Sequence, residues 1–367
     1  MSRATTWIRW GALGALAYAQ AGYPLALLAV PRRPLAPAAG APDGLPSVSL
    51  VIAAYAEADV IAAKVADALA LDYPRELLEV IVACDGSADA TARLAREAGA
   101  DVVLELPRGG KIRAQDAGVR AARGDVVAFS DANALWEPAA LRELVAPFAD
   151  PEVGYVCGQV SFVNAAGTNQ EGLYWRYEML LRGLESARAS VTGGNGAIYA
   201  TRREDYVEMD PIMGHDLSFP FTFVKRGRRA VYAPAARATE KMVPTVEGEW
   251  ARKRRMMSHA WPIVVRGGLI DPRGYGPRYG LMVLSHRVLR YAGPFLHLAA
   301  LAASLRRPRV LAPQLALLAA AAAGGRLGRP GLVARYYVLT QASIAAGLAD
   351  WLRHGTEAGW TPPEGTR

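Results

Sequence analysis

Between Ser47 and Ser130 the chain alternates short, almost wholly apolar runs with runs of helical spacing, and this alternation restricts the fold more than any other feature. Val48 to Tyr55, Leu78 to Cys84, Asp101 to Leu106 and Val126 to Ser130 read as strands. Val60 to Leu71, Asp89 to Ala98 and Ile112 to Ala122 read as the helices between them. Strands that are apolar along their whole length are buried on both faces, the usual condition of parallel strands joined by crossover helices. The expectation is an α/β domain with a mostly parallel sheet. After about Pro151 the alternation loosens: Gln170 to Arg188 reads as a helix with an aromatic face, and a Gly193-Gly194-Asn195-Gly196 turn precedes a short strand from Ala197 to Thr201.

The same chain is 52% hydrophobic and only 21% charged, which excludes disorder and leans towards membrane-embedded parts. Trp7 to Val30 carries one charge, Arg9, and is long enough to span a bilayer. A cleaved signal peptide is the rival reading, since Ala36 to Ala41 holds small residues suited to a cut site; Arg32 and Arg33 favour a retained span with that end cytoplasmic. Residues 31–46, rich in Pro, Ala and Gly, read as a linker, residues 47–265 as the α/β domain, and 266–287 as an interfacial segment. Val288 to Leu305, Val310 to Ala323 and Leu332 to Leu352 are three further apolar stretches, followed by a tail over 353–367. The loops between them hold Arg306, Arg307, Arg309, Arg326 and Arg329, so charge does not settle their topology. Forty-two basic against 34 acidic side chains leave a net charge of +8, which suits phosphate groups or a lipid surface; no nucleic-acid recognition motif accompanies it. Two cysteines, Cys84 and Cys157, exclude a disulfide framework and fit a reducing compartment.

Ligands of a parallel α/β sheet bind beyond the carboxyl ends of its strands, and two acidic residues stand there, Asp85 and Asp131. Either one alone reads equally well as a helix cap. Asp131-Ala132-Asn133 puts two oxygen donors in one short turn, a set that suits Mg²⁺ or Mn²⁺ shared with a diphosphate. Lys111 follows Gly109-Gly110 ahead of a helix and offers a cation to phosphate, without P-loop spacing. Asp216, after Gly214-His215, is a candidate general base or a helix cap, and His215 itself reads as structural. On the helix Trp250 to Trp261, Trp250, Met257 and Trp261 share one face while Arg252, Arg255 and His259 share the opposite one. The arginines would clamp a diphosphate with the aromatic face on the bilayer; a solvated basic face is the alternative.

In this order the residues resemble the inverting family-2 glycosyltransferases of the GT-A fold. Val51 to Glu57 is similar to the family's opening strand and turn, with Ala56 in place of the usual asparagine, and Cys84-Asp85-Gly86-Ser87 to its Asp-Asp-Gly-Ser turn. Gly110-Lys111 with Ala117-Gly118 resembles the Gly-Lys…Asn-Ala-Gly segment, and Asp131-Ala132-Asn133 the metal-binding Asp-x-Asp with asparagine last. Gly193 to Tyr199 resembles the acceptor-side loop, and His215-Asp216 the Glu-Asp motif. Where a Gln-x-x-Arg-Trp motif belongs, only Arg255 of Arg252 to Met256 agrees; a processive polymer synthase is expected to keep that motif.

The resemblance implies a GT-A catalytic domain, Rossmann-like with a mostly parallel sheet flanked by helices, carrying N-terminal and C-terminal transmembrane helices. It implies that Tyr55, Glu57, Asp85, Lys111, Asp131, Arg252 and Arg255 bind a nucleotide sugar and that Asp131 and Asn133 hold a divalent cation. It further implies that Gly194 and Asn195 lie on the acceptor side and that Asp216 is the base of a single inverting displacement. The expected acceptor is lipid-linked or a cell-envelope polysaccharide or glycolipid, reached at the cytoplasmic face of a multi-pass membrane protein. Two other classes stay open on sequence alone: an inactive GT-A scaffold, for which the substitutions at Ala56, Cys84, Asn133, His215 and Arg252 speak, and a nucleotidyltransferase, which would need a Gly-rich basic turn where Ala53 to Glu57 stands.

Overall fold

The computed structural model describes residues 2–36, 44–163, 172–241, 246–356 and 358–359. Eight strands form one sheet: β1 (Val48–Ala54), β2 (Leu78–Asp85), β3 (Val102–Leu106), β4 (Val126–Asp131), β5 (Leu135–Trp136), β6 (Val153–Val163), β7 (Tyr199–Arg202) and β8 (Arg229–Lys241). Their spatial order is β3-β2-β1-β4-β7-β6-β8-β5. The first half is the parallel sheet expected from the alternation, with β1 flanked by β2 and β4 and β2 by β3. Beyond β4 the sheet turns mixed: β7 runs antiparallel to both β4 and β6, while β6 and β8 are parallel.

The helices of the catalytic domain are preceded by α1 (Arg3–Ala17) and α2 (Tyr23–Ala29), which one π-turn, Tyr18–Gly22, joins into a continuous apolar helix. Next come α3 (Ile61–Leu69), α4 (Thr91–Glu97), α5 (Lys111–Ala121), α6 (Ala140–Val145), α7 (Gly172–Ser186), α8 (His215–Lys225) and α9 (Val246–Val265). The chain ends in α10 (Pro277–Met282), α11 (Leu289–Ser304), α12 (Pro308–Ala323) and α13 (Gly328–His354). Residue 170 and 171, the start of the helix expected over Gln170 to Arg188, lie outside the described residues. β1 is buried at all seven positions, between the apolar stripe of α3 (Ile61, Val65, Ala68) on one face and a cluster holding Val119 and Phe129 on the other.

Two helical stretches, Arg3–Ala29 and Pro308–His354, are long and apolar enough to cross a membrane. The second folds back on itself. Gly324 and Gly328 adopt φ of +54° and +62°, the left-handed region that favours glycine, and Arg335 Nε donates to the Ala321 carbonyl at 3.0 Å. The expected stretch Val288 to Leu305 forms α11, which packs along α1 and takes a hydrogen bond from the buried Arg9 to the Ala303 carbonyl. The linker is not a loose tether where it is described. Arg33 N donates to the Ala187 carbonyl at 2.8 Å, and the buried Arg229, paired with Asp150 at 3.3 Å, donates to the carbonyls of Arg33 and Pro34.

One joint ties the apolar helices to the catalytic domain. Helix α9 lies along α13: Arg254 pairs with Asp350 at 2.5 Å, Lys253 donates to Tyr336 and Trp261 Nε1 to the Ile344 carbonyl at 2.9 Å. The face holding Trp261 therefore meets α13 and Tyr291, where the sequence reading placed it on lipid. The approach is close because Gly347 has no side chain. A Cβ there would stand 2.5 Å from Met257 Cβ and 2.8 Å from the backbone at Ser258. Gly347→Leu should lower stability by about 1–3 kcal/mol through this overlap; thermal unfolding of the detergent-solubilised chain checks it, and an unchanged midpoint contradicts the docking.

Candidate active site

The parallel register aligns the carboxyl ends of β1, β2 and β4. Ala53 pairs with Asp131 and Ala54 with Cys84, so Asp131, Asp85 and the turn holding Tyr55 share one edge. Asp85 is used by the chain itself. Its carboxylate accepts from Gly109 N at 2.6 Å, Gly110 N at 3.0 Å and Arg108 Nη1 at 2.8 Å. These bonds hold the Gly109-Gly110 turn, whose second residue needs φ +95°, against the end of β2. Arg108 also lies flat over Tyr55, its guanidinium carbon 3.2 Å from the ring centroid. Tyr55, Asp85 and Arg108 thus form one stacked unit; Arg108 was missed by sequence reasoning, although it sits directly before the Gly-Gly-Lys run. Glu57 is buried, and its carbonyl accepts from Val60 N and Ile61 N at the start of α3. Ala56, where the family places asparagine, has φ +51°, a conformation that asparagine adopts more readily than alanine.

The turn set by Asp85 delivers Lys111 to Asp131, and the two form an ion pair, both side chains about one-fifth exposed at 23% and 21%. Burial works against the Lys111 charge, but Asp131, with Asp216 and Glu240 behind it, more than offsets this and holds its pKa above the ordinary lysine value. Glu240, on β8, is pushed up to about 7 by burial and then by the Asp131 carboxylate, against the Lys111, Arg252 and Lys64 cations. Lys64 is wholly buried, donates to Asp67 at 3.1 Å and lies 5.3 Å from the Trp136 ring centroid. Burial lowers its pKa. Sequence reasoning missed both Lys64 and Glu240. The signal for Lys64 was a lysine within the Ile61, Val65, Ala68 stripe; Glu240 carried none.

Gly193 to Gly196 closes the site from the other side. Gly196 sits directly over the ion pair: a Cβ there would be 3.2 Å from Lys111 Nζ and 3.6 Å from Asp131 Oδ2. Gly194 N donates to the Asp216 carbonyl at 2.6 Å, and a Cβ at Gly194 would overlap the Tyr155 hydroxyl. The Asn195 side chain is buried within the loop, accepting from Ala197 N and Ile198 N and donating to the Gly158 carbonyl at 2.8 Å. It shapes the loop from within.

Asp216 opens α8. Its carboxylate has no hydrogen-bond or ion-pair partner among the described residues, and it lies within electrostatic reach of Lys111 and His259. His215 is the opposite case: buried, stacked on Phe219 at 3.8 Å, with Nδ1 2.8 Å from the Tyr199 hydroxyl. Gln115 Nε2 donates to that hydroxyl at 3.0 Å. His215 anchors the turn that presents Asp216. Arg252 pairs with Glu249 at 2.9 Å and bears electrostatically on Glu240, and Arg255 bears on His259, so α9 borders the site on its basic face. Asn133 follows Asp131 in the turn after β4.

The oxygen donors can be tested against a divalent cation. Among the described residues no three His, Cys, Asp or Glu side chains lie close enough together to hold a metal ion. The Asp131 carboxylate nevertheless already holds a cation, the Lys111 ammonium. A carboxylate with an amide two residues on is a donor set that fits a hard dication whose remaining ligands come from a diphosphate.

Residues 46–258 match the family model for glycosyltransferase-like family 2, and the chain belongs to that family. Its fold is the GT-A fold. Over 236 residues it is 24% identical to the poly-β-1,6-N-acetyl-D-glucosamine synthase of Staphylococcus aureus, covering 61% of this chain and 57% of that one. It therefore spans little more than half the length of that relative. A probable glycosyltransferase of Bacillus subtilis is 33% identical over 133 residues, 34% of this chain and 32% of that one. The solved mannosyltransferase of Pyrobaculum calidifontis, in complex with GDP-Man and Mn²⁺, superposes with a TM-score of 0.75 at 27% identity, covering 95% of this chain and 97% of that chain.

Burial holds the His215 pKa well below 6.5 and keeps the ring neutral. The unfolded chain therefore takes up a proton below pH 6.5 that the folded chain does not. Stability attached to this residue is present above 6.5 and is lost as pH falls towards the folded pKa, by about 1.4 kcal/mol per pH unit. Denaturant titrations from pH 7.5 to 5 should give a shallower loss for His215→Gln than for the wild type; equal slopes contradict the assignment.

Proposed function

We propose that the chain moves a sugar from a nucleotide-sugar donor to a lipid-linked or amphiphilic acceptor at the cytoplasmic face of a membrane, by one inverting displacement. The observation that carries this reading is that the Gly193–Gly196 turn touches both acids: Gly194 N bonds the carbonyl of Asp216, whose carboxylate has no partner among the described residues, and Gly196 lies over the cation-bearing Asp131. The GDP-Man and Mn²⁺ of the Pyrobaculum mannosyltransferase complex, and the polysaccharide named for the Staphylococcus relative, support the donor class and the cell-envelope acceptor class.

The base and ribose would lie at the Tyr55–Arg108–Asp85 unit, where Arg108 swings aside or provides a second stacking face. Lys111 and Arg255 would take the diphosphate charge. Asp131 and Asn133 would hold a divalent cation, Mg²⁺ or Mn²⁺. When bound, that cation supplies positive charge to the departing nucleoside diphosphate. Asp216 accepts the proton of the acceptor hydroxyl as oxygen attacks the anomeric carbon.

Membrane anchorage supports an acceptor that partitions to the bilayer. The apolar helices Arg3–Ala29 and Pro308–His354 would hold the domain at the surface, with α9 bringing its basic face, Arg252 and Arg255, beside the site. Arg32 and Arg33 after the first helix fit a cytoplasmic catalytic domain.

Nucleoside diphosphate release by the full-length chain in detergent, across a panel of nucleotide sugars that includes GDP-mannose, tests the reading. One donor should give release that Asp216→Asn lowers by about 10²–10⁴-fold while donor binding by calorimetry survives. Asp131→Ala should lose both release and metal-dependent donor binding. Release undiminished in Asp216→Asn contradicts its role as base.

A further inference from the structure

Lys111 and Asp131 occupy each other in a place where the reaction needs both for other work. The lysine is the first residue of α5, delivered by a turn whose backbone amides are fastened to Asp85 at 2.6 and 3.0 Å, so the side chain starts from a fixed point. Its ammonium rests on Asp131 Oδ1. Gly196 covers the pair with bare backbone, leaving 3.2 Å from a notional Cβ to the ammonium. A cation binding Asp131 Oδ1 therefore competes with Lys111.

The charges match. Asp131 contributes one negative charge and Asn133 none, so a single ammonium neutralises the turn. With a second carboxylate in place of Asn133 the same lysine would leave one negative charge over, and a dication would be drawn in without help. Asp216 and Glu240 also bear on Lys111, so the ammonium sits among carboxylates, and Asp131 is the one it touches. A diphosphate changes this balance, since its oxygens offer the ammonium a stronger partner and bring additional negative charge to the turn.

We infer that Lys111 is the resting counter-ion of the Asp131 cation site, transferred to the donor's diphosphate on binding, so that the divalent cation enters with the donor and not before it. This rests on the donor and metal reading proposed above. It assigns Lys111 two successive partners and gives the Asn133 substitution a purpose: an ordered entry that keeps the free enzyme from holding metal.

Opposite changes in two affinities test it in the full-length chain in detergent. Mn²⁺ alone is titrated into nucleotide-free protein by electron paramagnetic resonance, and inorganic pyrophosphate is titrated by calorimetry in the presence of chelator. Lys111→Gln should tighten nucleotide-free Mn²⁺ binding by about tenfold, the effect of removing one adjacent like charge, and weaken pyrophosphate binding. Asn133→Asp should also tighten Mn²⁺ binding, with the lysine still in place. Lys111→Arg, which keeps the charge, should behave as the wild type towards Mn²⁺. Thermal unfolding of each variant confirms that it is folded, and Lys111→Met replaces the glutamine variant if that one is not. Mn²⁺ affinity unchanged or weakened in Lys111→Gln, while Asn133→Asp tightens it, overturns the counter-ion role and leaves the metal reading standing. Mn²⁺ affinity of Lys111→Gln unchanged when Asp131→Asn is added overturns the metal reading itself.

Discussion

A carboxylate placed at the end of a buried parallel strand needs a cation, and the arrangement of this catalytic domain follows from how Asp131 obtains one. Its strand pairs with β1 in a register that sets Asp131 opposite Ala53, so the charge emerges beside the Tyr55 turn. The cation arrives from α5, which starts where it does because Asp85 grips the amides of Gly109 and Gly110. Two acidic residues at one sheet edge therefore have different tasks: Asp85 builds the loop and Asp131 uses what the loop presents. The Gly193–Gly196 turn then closes over the pair, and its Gly194 amide fixes the backbone of Asp216 on the far side.

Much of this was legible because it depends on local patterns. The apolar runs of β1, β2 and β4 and the helical spacing between them specify a parallel sheet without reference to anything distant, and the residues at its carboxyl ends follow by position. The Gly-rich turn and the His215-Asp216 pair were legible for the same reason. The mixed half of the sheet was less so, since β6 and β8 join across more than sixty positions of sequence and their pairing is set by packing against α6 and α7.

What the sequence concealed is electrostatic and long-range. Arg108 stacks on Tyr55, Glu240 shares a field with Asp131, and Lys64 lies buried under Trp136. None of these contacts is encoded by spacing, because each joins elements far apart in the chain. The docking of α9 on α13 is of the same kind. Amphipathic character alone cannot distinguish a helix facing lipid from one facing another helix, and Gly347 decides the matter by leaving space for the Met257 backbone.

In the proposed reaction Asp216 acts once, as a base, in a single displacement, with no carboxylate of the chain bonded to the sugar along the way. The anomeric configuration of the product, read from the proton coupling constant of the newly formed linkage by nuclear magnetic resonance, tests this most directly. A configuration opposite to that of the donor is expected. Retention of the donor's configuration would contradict a single in-line displacement.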